Sequence, residues 1–236
     1  MPYIISPSIK LNSKGEWLEG VAYEKENLYK IEEGKLPPVH YDTHILRPHS
    51  LTHIETPKHT QKEGKSTDFF FKNNPNHFFG PCIVIKFKNE GWKELGDGLK
   101  QKVIQEEEIR EKLKGHKRIS KVLISVENVQ ENEFGFHEPK HVLTLSHEAA
   151  RYLTSFESFN LFGTSWKSSD FMPGSSERPI HNEIFKNALI LENINLNEVP
   201  EGEYFINCFP LNMEDSSESP VTAVLFDKND LSSFIN

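Results

Sequence analysis

The chain has 236 residues, of which 36% are hydrophobic and 26% charged, and its 27 basic and 35 acidic side chains give a formal net charge of −8. This length and apolar content suffice for one substantial core, so a single domain over residues 1–236 is expected. The acidic balance argues against a nucleic-acid partner, since phosphates require a basic face. No run approaches the ~18 apolar residues of a membrane span and no secretory signal is recognisable, so we expect a cytoplasmic protein with no membrane partner.

The first 45 residues are punctuated by proline and glycine and show no sustained period, which predicts strands and loops rather than helix. Three pairs with the spacing H-x-x-x-H follow in the chain, namely His40/His44, His49/His53 and His137/His141. In a chain with 11 histidines such pairs arise by chance, so the spacing alone is weak evidence for a site.

The middle pair differs because it lies in the segment HSLTHIETPKH, which adds Glu55 and His59. Pro57 excludes a helix interior and favours extended backbone before it. In a strand, His49, His53 and Glu55 would share a face, since residues at even spacings point the same way. Two imidazoles and a carboxylate suit Zn²⁺ or Mn²⁺ and leave positions open for water and substrate. The segment therefore predicts a metal site of catalytic character.

From residue 82 onward, short apolar runs alternate with helical patterns, which favours α/β organisation. The order is CIVIKF, VIQEEEIREKLKG, KVLISV, SHEAARYLTSF and LFGTS, then a short helix near HNEIFKN and strands at ALILE, EYFINCF and VTAVLF. Ser146 is the expected N-cap of the SHEAARYL helix. Cys82 and Cys208 lie inside apolar runs and are expected to be buried free thiols.

The histidine segment resembles the signature H-x-G-T-H-x-D-x-P-x-H of the cyclase-like metal-dependent hydrolases, a family that includes bacterial kynurenine formamidase and isatin hydrolase. Leu51 stands in place of the glycine and Glu55 in place of the aspartate. Weaker similarities continue downstream at HFFGPCIVIKF, LTLSHEAARYL, GTSWKSSD, HNEIFKNALILENI and FPLNMEDSSESPVTAVLF. In GTSWKSSD, Ser165 replaces the family's first aspartate, whereas Asp170 is retained.

The resemblance implies a mixed α/β fold with a barrel-like central sheet flanked by helices, of the swivelling β/β/α type. It also implies one or two metal ions per chain, Zn²⁺ or Mn²⁺, a small-molecule substrate and a homodimer or larger homo-oligomer. His49, His53 and Glu55 correspond to one ligand set, and His181 and Glu192 to the second. His59 corresponds to the residue that carries the proton.

The reaction implied is hydrolysis of an amide or formamide, with an N-formylkynurenine-like aryl formamide as the leading substrate. A lactam or lactone hydrolase of isatin or dienelactone type is the alternative within the class. A metal-binding relative that has lost catalysis is the third, because Leu51, Glu55 and Ser165 depart from the family pattern. If the backbone at Leu51 had to be left-handed, a non-glycine residue there would strain the site. Phe69, Phe70, Phe71 and Trp166 are candidates for the substrate pocket, although core packing is the favoured interpretation of the FFF run.

Overall fold

The computed structural model describes residues 1–15, 17, 21–171 and 177–235. The strands are β1 (Tyr3–Ile4), β2 (Tyr23–Tyr29), β3 (Tyr41–Leu46), β4 (His53–Glu55), β5 (Phe79–Phe87), β6 (Lys93–Gly96), β7 (Leu99–Ile104), β8 (Lys121–Val126), β9 (His141–Leu145), β10 (Leu161–Thr164), β11 (Leu189–Glu192), β12 (Gly202–Asn207), β13 (Glu218–Pro220) and β14 (Val224–Phe226). The helices are α1 (Thr67–Asn73), α2 (Glu106–Leu113), α3 (His147–Thr154), α4 (Pro179–Ile184) and α5 (Lys228–Ile235). Among the described residues, no helix is long and apolar enough to cross a membrane.

A nine-stranded mixed sheet in the order β1-β14-β12-β5-β8-β10-β11-β4-β13 dominates the fold and curls into a half-barrel. Its centre, β5-β8-β10-β11, is parallel, and the remaining pairs are antiparallel. Strands β6, β7 and β9 form a smaller sheet, and β2 and β3 form a separate hairpin. The mixed α/β fold with a barrel-like sheet is therefore confirmed.

The central strands are buried on both faces, which explains why their sequences read as continuous apolar runs. Along β8, Val122, Ile124 and Val126 join the core under α2, α3 and α4, whereas Leu123 joins the core on the opposite face. The two cysteines are buried free thiols in this second core, as expected.

The predicted N-cap of helix α3, Ser146, is confirmed. Ser146 precedes α3, and its Oγ accepts a hydrogen bond from the backbone N–H of Ala149 at 3.1 Å. This bond satisfies one of the donors that the first helical turn leaves without a partner.

The histidine segment is only partly a strand. Strand β4 covers His53–Glu55, but Pro48–Ser50 and Pro57–His59 each form a 3₁₀-helical turn. Prolines 48 and 57 occupy the first position of these turns, where the missing N–H has no cost. The prediction that His49 shares a strand face with His53 and Glu55 is therefore wrong in its local geometry.

Candidate metal centre

The strand register brings the carboxylates and one histidine to a common face of the sheet. In the β4-β11 pair, His53 lies directly opposite Glu192. In the β4-β13 pair, Glu55 lies directly opposite Glu218. Cross-strand partners point to the same face, and so do residues two apart in one strand. All four side chains therefore point to the same side of this edge of the sheet.

The two 3₁₀-helical turns that flank β4 bring in His49 and His59 from either end. The ring of His49 packs edge-on against that of His53, with 4.8 Å between centroids. The ring of His59 lies 4.7 Å from that of His49 and 5.6 Å from that of His181. Four imidazoles thus surround the end of β4, although only His53 belongs to the strand.

The carboxylate of Glu55 lies at the centre of this cluster and contacts all four imidazoles. Its Oε1 lies 3.1 Å from Nδ1 of His49, 3.3 Å from Nε2 of His53 and 3.4 Å from Nε2 of His59. Its Oε2 lies 3.0 Å from Nε2 of His181. The longer reach of glutamate relative to aspartate thus leaves the carboxylate within contact of every predicted histidine.

His181 is held by Asp170. Nδ1 of His181 donates to Oδ2 of Asp170 at 2.6 Å, and the two carboxylate oxygens also accept the backbone N–H groups of Ile180 and His181. Asp170 therefore caps the start of α4 and turns Nε2 of His181 toward Glu55. Asp170 thus caps the helix and also orients the imidazole, a role that the sequence did not indicate.

Glu192 is anchored by the loop after β10. Its Oε1 accepts the backbone N–H of Ser169 at 2.6 Å and the hydroxyl of Ser169 at 2.9 Å. Its Oε2 lies 3.8 Å from Nε2 of His53, and its Oε1 lies 3.7 Å from Nε2 of His181. The contribution of Ser169 was also missed, because the contact joins two segments far apart in sequence.

Because Glu55, Glu192 and His181 are buried, each strongly shifts the pKa values of the others. Burial by itself opposes ionisation of Glu55, but the charge and hydrogen bond of His181 outweigh it and hold the pKa of Glu55 well below its usual range. Burial and the neighbouring Glu55 raise the pKa of Glu192. Burial alone would lower the pKa of His181, yet Glu55 and Asp170 raise it to about 10. Two carboxylates thus share one buried site, and protonated imidazole balances them in the metal-free protein.

The pKa values of His53 and His59 move in opposite directions. For His53 the hydrogen bond and charge of Glu55 overcome the effect of burial, so the pKa is raised. For His59 burial is the largest influence, so the pKa is lowered. His59 is accordingly the member of the pair that is neutral and able to accept a proton near pH 7.

This donor set fits a divalent cation. Within the described part of the chain, two groups hold ligand atoms that all lie within 4.8 Å of one another: His49, Glu55 and His59, and His53, Glu55 and Glu192. Imidazole nitrogen with carboxylate oxygen is the set that Zn²⁺ and Mn²⁺ accept. Nδ1 of His53 donates to the carbonyl of Leu51 at 2.8 Å, which leaves its Nε2 lone pair facing the cluster. Glu55 belongs to both groups, so it is the residue that could bridge two ions.

A cavity of about 460 Å³ opens over the cluster. Its described lining comprises Trp17, Leu46, Arg47, Pro48, His49, Ser50, Glu55, His59, Lys167, Ser168, Arg178, His181, Glu192 and Glu218. The lining combines apolar side chains with the cations Arg47, Lys167 and Arg178, which suits a small substrate of mixed polarity. His59 and Arg178 also line a second cavity, and the side chain of His59 is 22% exposed.

Two features of the sequence have no adverse effect on this site. Leu51 has φ −129°, which is extended backbone, so the glycine of the family signature is not required here. Trp166 is buried in the core, and its Nε1 donates to the carbonyl of Pro139 at 3.2 Å. Among the described lining residues of the cavity, neither Trp166 nor the run Phe69–Phe71 is present. These aromatics pack in the cores, which confirms the favoured interpretation of the FFF run.

Comparison with known proteins identifies the family. The family model described as "Putative cyclase" matches residues 10–170, which is more than half of the chain. The chain belongs to the Cyclase family. Its Cyclase-family relatives include the kynurenine formamidase of Bacillus mycoides, which is 28% identical over 87% of this chain and 85% of the relative. The kynurenine formamidase of Polaromonas naphthalenivorans is 26% identical over 94% of this chain and 88% of the relative.

Solved structures share the fold. The predicted metal-dependent hydrolase from Bacillus stearothermophilus superposes with a TM-score of 0.70 at 21% identity, covering 97% of this chain and 98% of that structure. Isatin hydrolase A from Labrenzia aggregata, bound to benzyl benzoate, superposes with a TM-score of 0.71 at 18% identity, covering 96% and 93%. At these identities the likeness establishes the Cyclase fold and leaves the chemistry to the residues of the site.

Proposed function

We propose that this protein is a metal-dependent amidohydrolase that cleaves the carbon–nitrogen bond of a small formamide, with an N-formylkynurenine-like aryl formamide as the leading substrate. The observation that carries the proposal is the buried cluster itself, in which Glu55 contacts four imidazoles at 3.0 to 3.4 Å beneath an open cavity. The kynurenine formamidases that resemble this chain support the choice of a formamide.

The ions would be held by His49, His53 and Glu55 and by His181 and Glu192, with Zn²⁺ or Mn²⁺ as the occupant and one or two ions per chain. A bound divalent cation acidifies water and polarises a carbonyl, which supplies the nucleophile and the electrophilic assistance. Asp170 and Ser169 orient His181 and Glu192 for this role.

His59 is the proposed proton carrier. Its side chain is 22% exposed, whereas those of His53 and His181 are 0% and 1% exposed. It also lines both the cavity over the cluster and the second cavity, so it is accessible to substrate and solvent. Nε2 can accept a proton from the attacking water and return it to the leaving nitrogen.

The chain is proposed to act as one domain in the cytoplasm and to assemble as a homodimer or larger homo-oligomer. Free thiols at Cys82 and Cys208 support a reducing compartment. Exposed apolar side chains on the β2-β3 hairpin, including Tyr29, Tyr41 and Ile45, support association of two copies. Light scattering at micromolar concentration measures the mass directly, and a monomer would exclude the dimer.

The function is tested by turnover of N-formylkynurenine, read as release of the free aryl amine, with isatin as the lactam comparison. We expect hydrolysis that requires Zn²⁺ or Mn²⁺ and that falls by about 10²- to 10⁴-fold in His59→Gln. The control is His116→Gln, a histidine at a different part of the surface that pairs with Glu203. Metal-loaded protein that turns over neither compound would contradict the proposal, and turnover of isatin alone would select the lactam hydrolase.

A further inference from the structure

Each imidazole that faces the metal centre has one nitrogen directed inward and one directed outward. The outward nitrogens of His53 and His181 are both held, the first by the carbonyl of Leu51 at 2.8 Å and the second by Asp170 at 2.6 Å. An acceptor at this position fixes the tautomer and the ring orientation, so that the inward lone pair is available to a cation.

His49 is reversed relative to these two. Its Nδ1 is the inward nitrogen, 3.1 Å from Oε1 of Glu55 and 3.0 Å from Nε2 of His53. Its outward nitrogen is therefore Nε2. The group that faces Nε2 is Oε1 of Glu218, at 3.8 Å.

The fold fixes Glu218 in this place. It lies directly opposite Glu55 in the β4-β13 register, so its side chain emerges on the same face of the sheet. The hydroxyl of Ser217 donates to Oε2, and Oε1 is the oxygen directed at His49. The side chain of Glu218 is 22% exposed and lines the cavity over the cluster, so it lies at the solvent-accessible side of the centre.

We propose that Glu218 is a positioning residue for His49, the third outer acceptor of the centre, which favours the tautomer with Nε2 protonated and Nδ1 bare. The inference rests on the proposed function only in that the cluster binds a cation. His49 needs such help more than its neighbours, because it sits on a three-residue 3₁₀-helical turn and is 31% exposed, so packing restrains its ring less.

The expected effect is moderate. At 3.8 Å the distance from Oε1 of Glu218 to Nε2 of His49 exceeds hydrogen-bond length, unlike the 2.6 Å bond of Asp170 to His181. Outer partners of ligating histidines change metal affinity by about 10- to 100-fold, and Glu218 belongs at the low end of this range.

The test is calorimetric titration of metal-free protein with Zn²⁺ alone, using Glu218→Leu and Glu218→Gln. The leucine variant removes the acceptor, and we expect about tenfold weaker binding. The glutamine variant keeps an acceptor oxygen, so most of the affinity should return. Glu214→Gln, in the loop before β13 and exposed, removes one charge away from the centre and should leave the affinity unchanged. Urea unfolding of the metal-free variants should match that of the wild type, which separates positioning from folding.

Equal affinity of the wild type and Glu218→Leu would overturn the inference while leaving the metal centre intact. Equal loss in the glutamine and leucine variants would also overturn it, because the charge of the carboxylate rather than its acceptor oxygen would then be what the cation requires. If wild-type protein bound no Zn²⁺, the proposed function would fail and the inference would fail with it.

Discussion

Asp170 is the residue whose replacement should weaken the centre most without removing a ligand. Its carboxylate accepts from Nδ1 of His181 and from two backbone N–H groups at the start of α4. In Asp170→Asn the amide presents a donor to one of these donors, so the ring loses its fixed orientation. We expect Zn²⁺ affinity to fall by about 10- to 100-fold by calorimetry.

Asp97→Asn is the matched control for this substitution. Asp97 lies in an exposed turn at φ 50°, a conformation that asparagine tolerates. The affinity of the Asp97→Asn variant for Zn²⁺ should equal that of the wild type. An unchanged affinity in Asp170→Asn would mean that the packing around His181, rather than the carboxylate, orients the ring.

His137 should make the stability of the protein depend on pH. Burial lowers its pKa to about 3, from the ordinary histidine value of 6.5. As the pH falls below 6.5, the unfolded chain binds a proton that the folded protein does not, so stability is lost between pH 6.5 and 3. The maximal slope from one such group is about 1.4 kcal/mol per pH unit.

The measurement is urea unfolding at pH 7.5, 6 and 5 for the wild type and His137→Gln, since glutamine can still contact Oγ of Ser165, which lies 3.0 Å from Nδ1 of His137. Other groups titrate in both proteins, so the informative quantity is the difference between the two curves. The variant should lose less stability on acidification. Parallel curves would show that His137 is protonated in the folded protein.

The N-cap of helix α3 should contribute measurably to the free energy of unfolding. Ser146→Ala removes the acceptor for the N–H of Ala149 and should lower the free energy of unfolding by about 1 kcal/mol in urea. Ser146→Asp keeps an acceptor and should retain the stability of the wild type. A loss in both variants would place the role of Ser146 outside capping.

Elements were predictable where local chemistry decides them, and the site was predictable only in part. Pro57 correctly excluded an α-helix at the histidine segment, and the apolar runs located β5, β8 and β11. The turn at Pro48–Ser50 was not predicted, because an extended strand and a 3₁₀-helical turn both satisfy the spacing of His49 and His53. The contacts of Asp170 with His181 and of Ser169 with Glu192 were not predicted, because they are tertiary contacts that no local pattern encodes.

At the scale of the whole molecule, the cluster should lower the stability of the metal-free protein and raise that of the metal-bound protein. Glu55 and Glu192 are both buried, and the charge of Glu55 opposes ionisation of Glu192. A ligand that binds only the folded state adds about 2.7 kcal/mol at a hundredfold excess over its Kd. We therefore expect Zn²⁺ to raise the unfolding midpoint of the wild type and chelator to lower it.

Glu192→Gln separates the two contributions. Removing one of two like charges should leave the metal-free protein at least as stable as the wild type, whereas the gain on adding Zn²⁺ should shrink. Calorimetric melting with and without Zn²⁺ gives both numbers. A metal-free variant that melts well below the wild type would mean that the hydrogen bonds of Glu192 to Ser169 outweigh the repulsion.

Elemental analysis of protein purified without chelator, beside His49→Ala and Glu55→Ala, measures whether this buried cluster is a divalent-metal centre. We expect about one or two Zn or Mn per chain in the wild type, reduced in His49→Ala and lost in Glu55→Ala, because Glu55 belongs to both ligand groups. Folded wild-type protein that holds no metal even after reconstitution would contradict it.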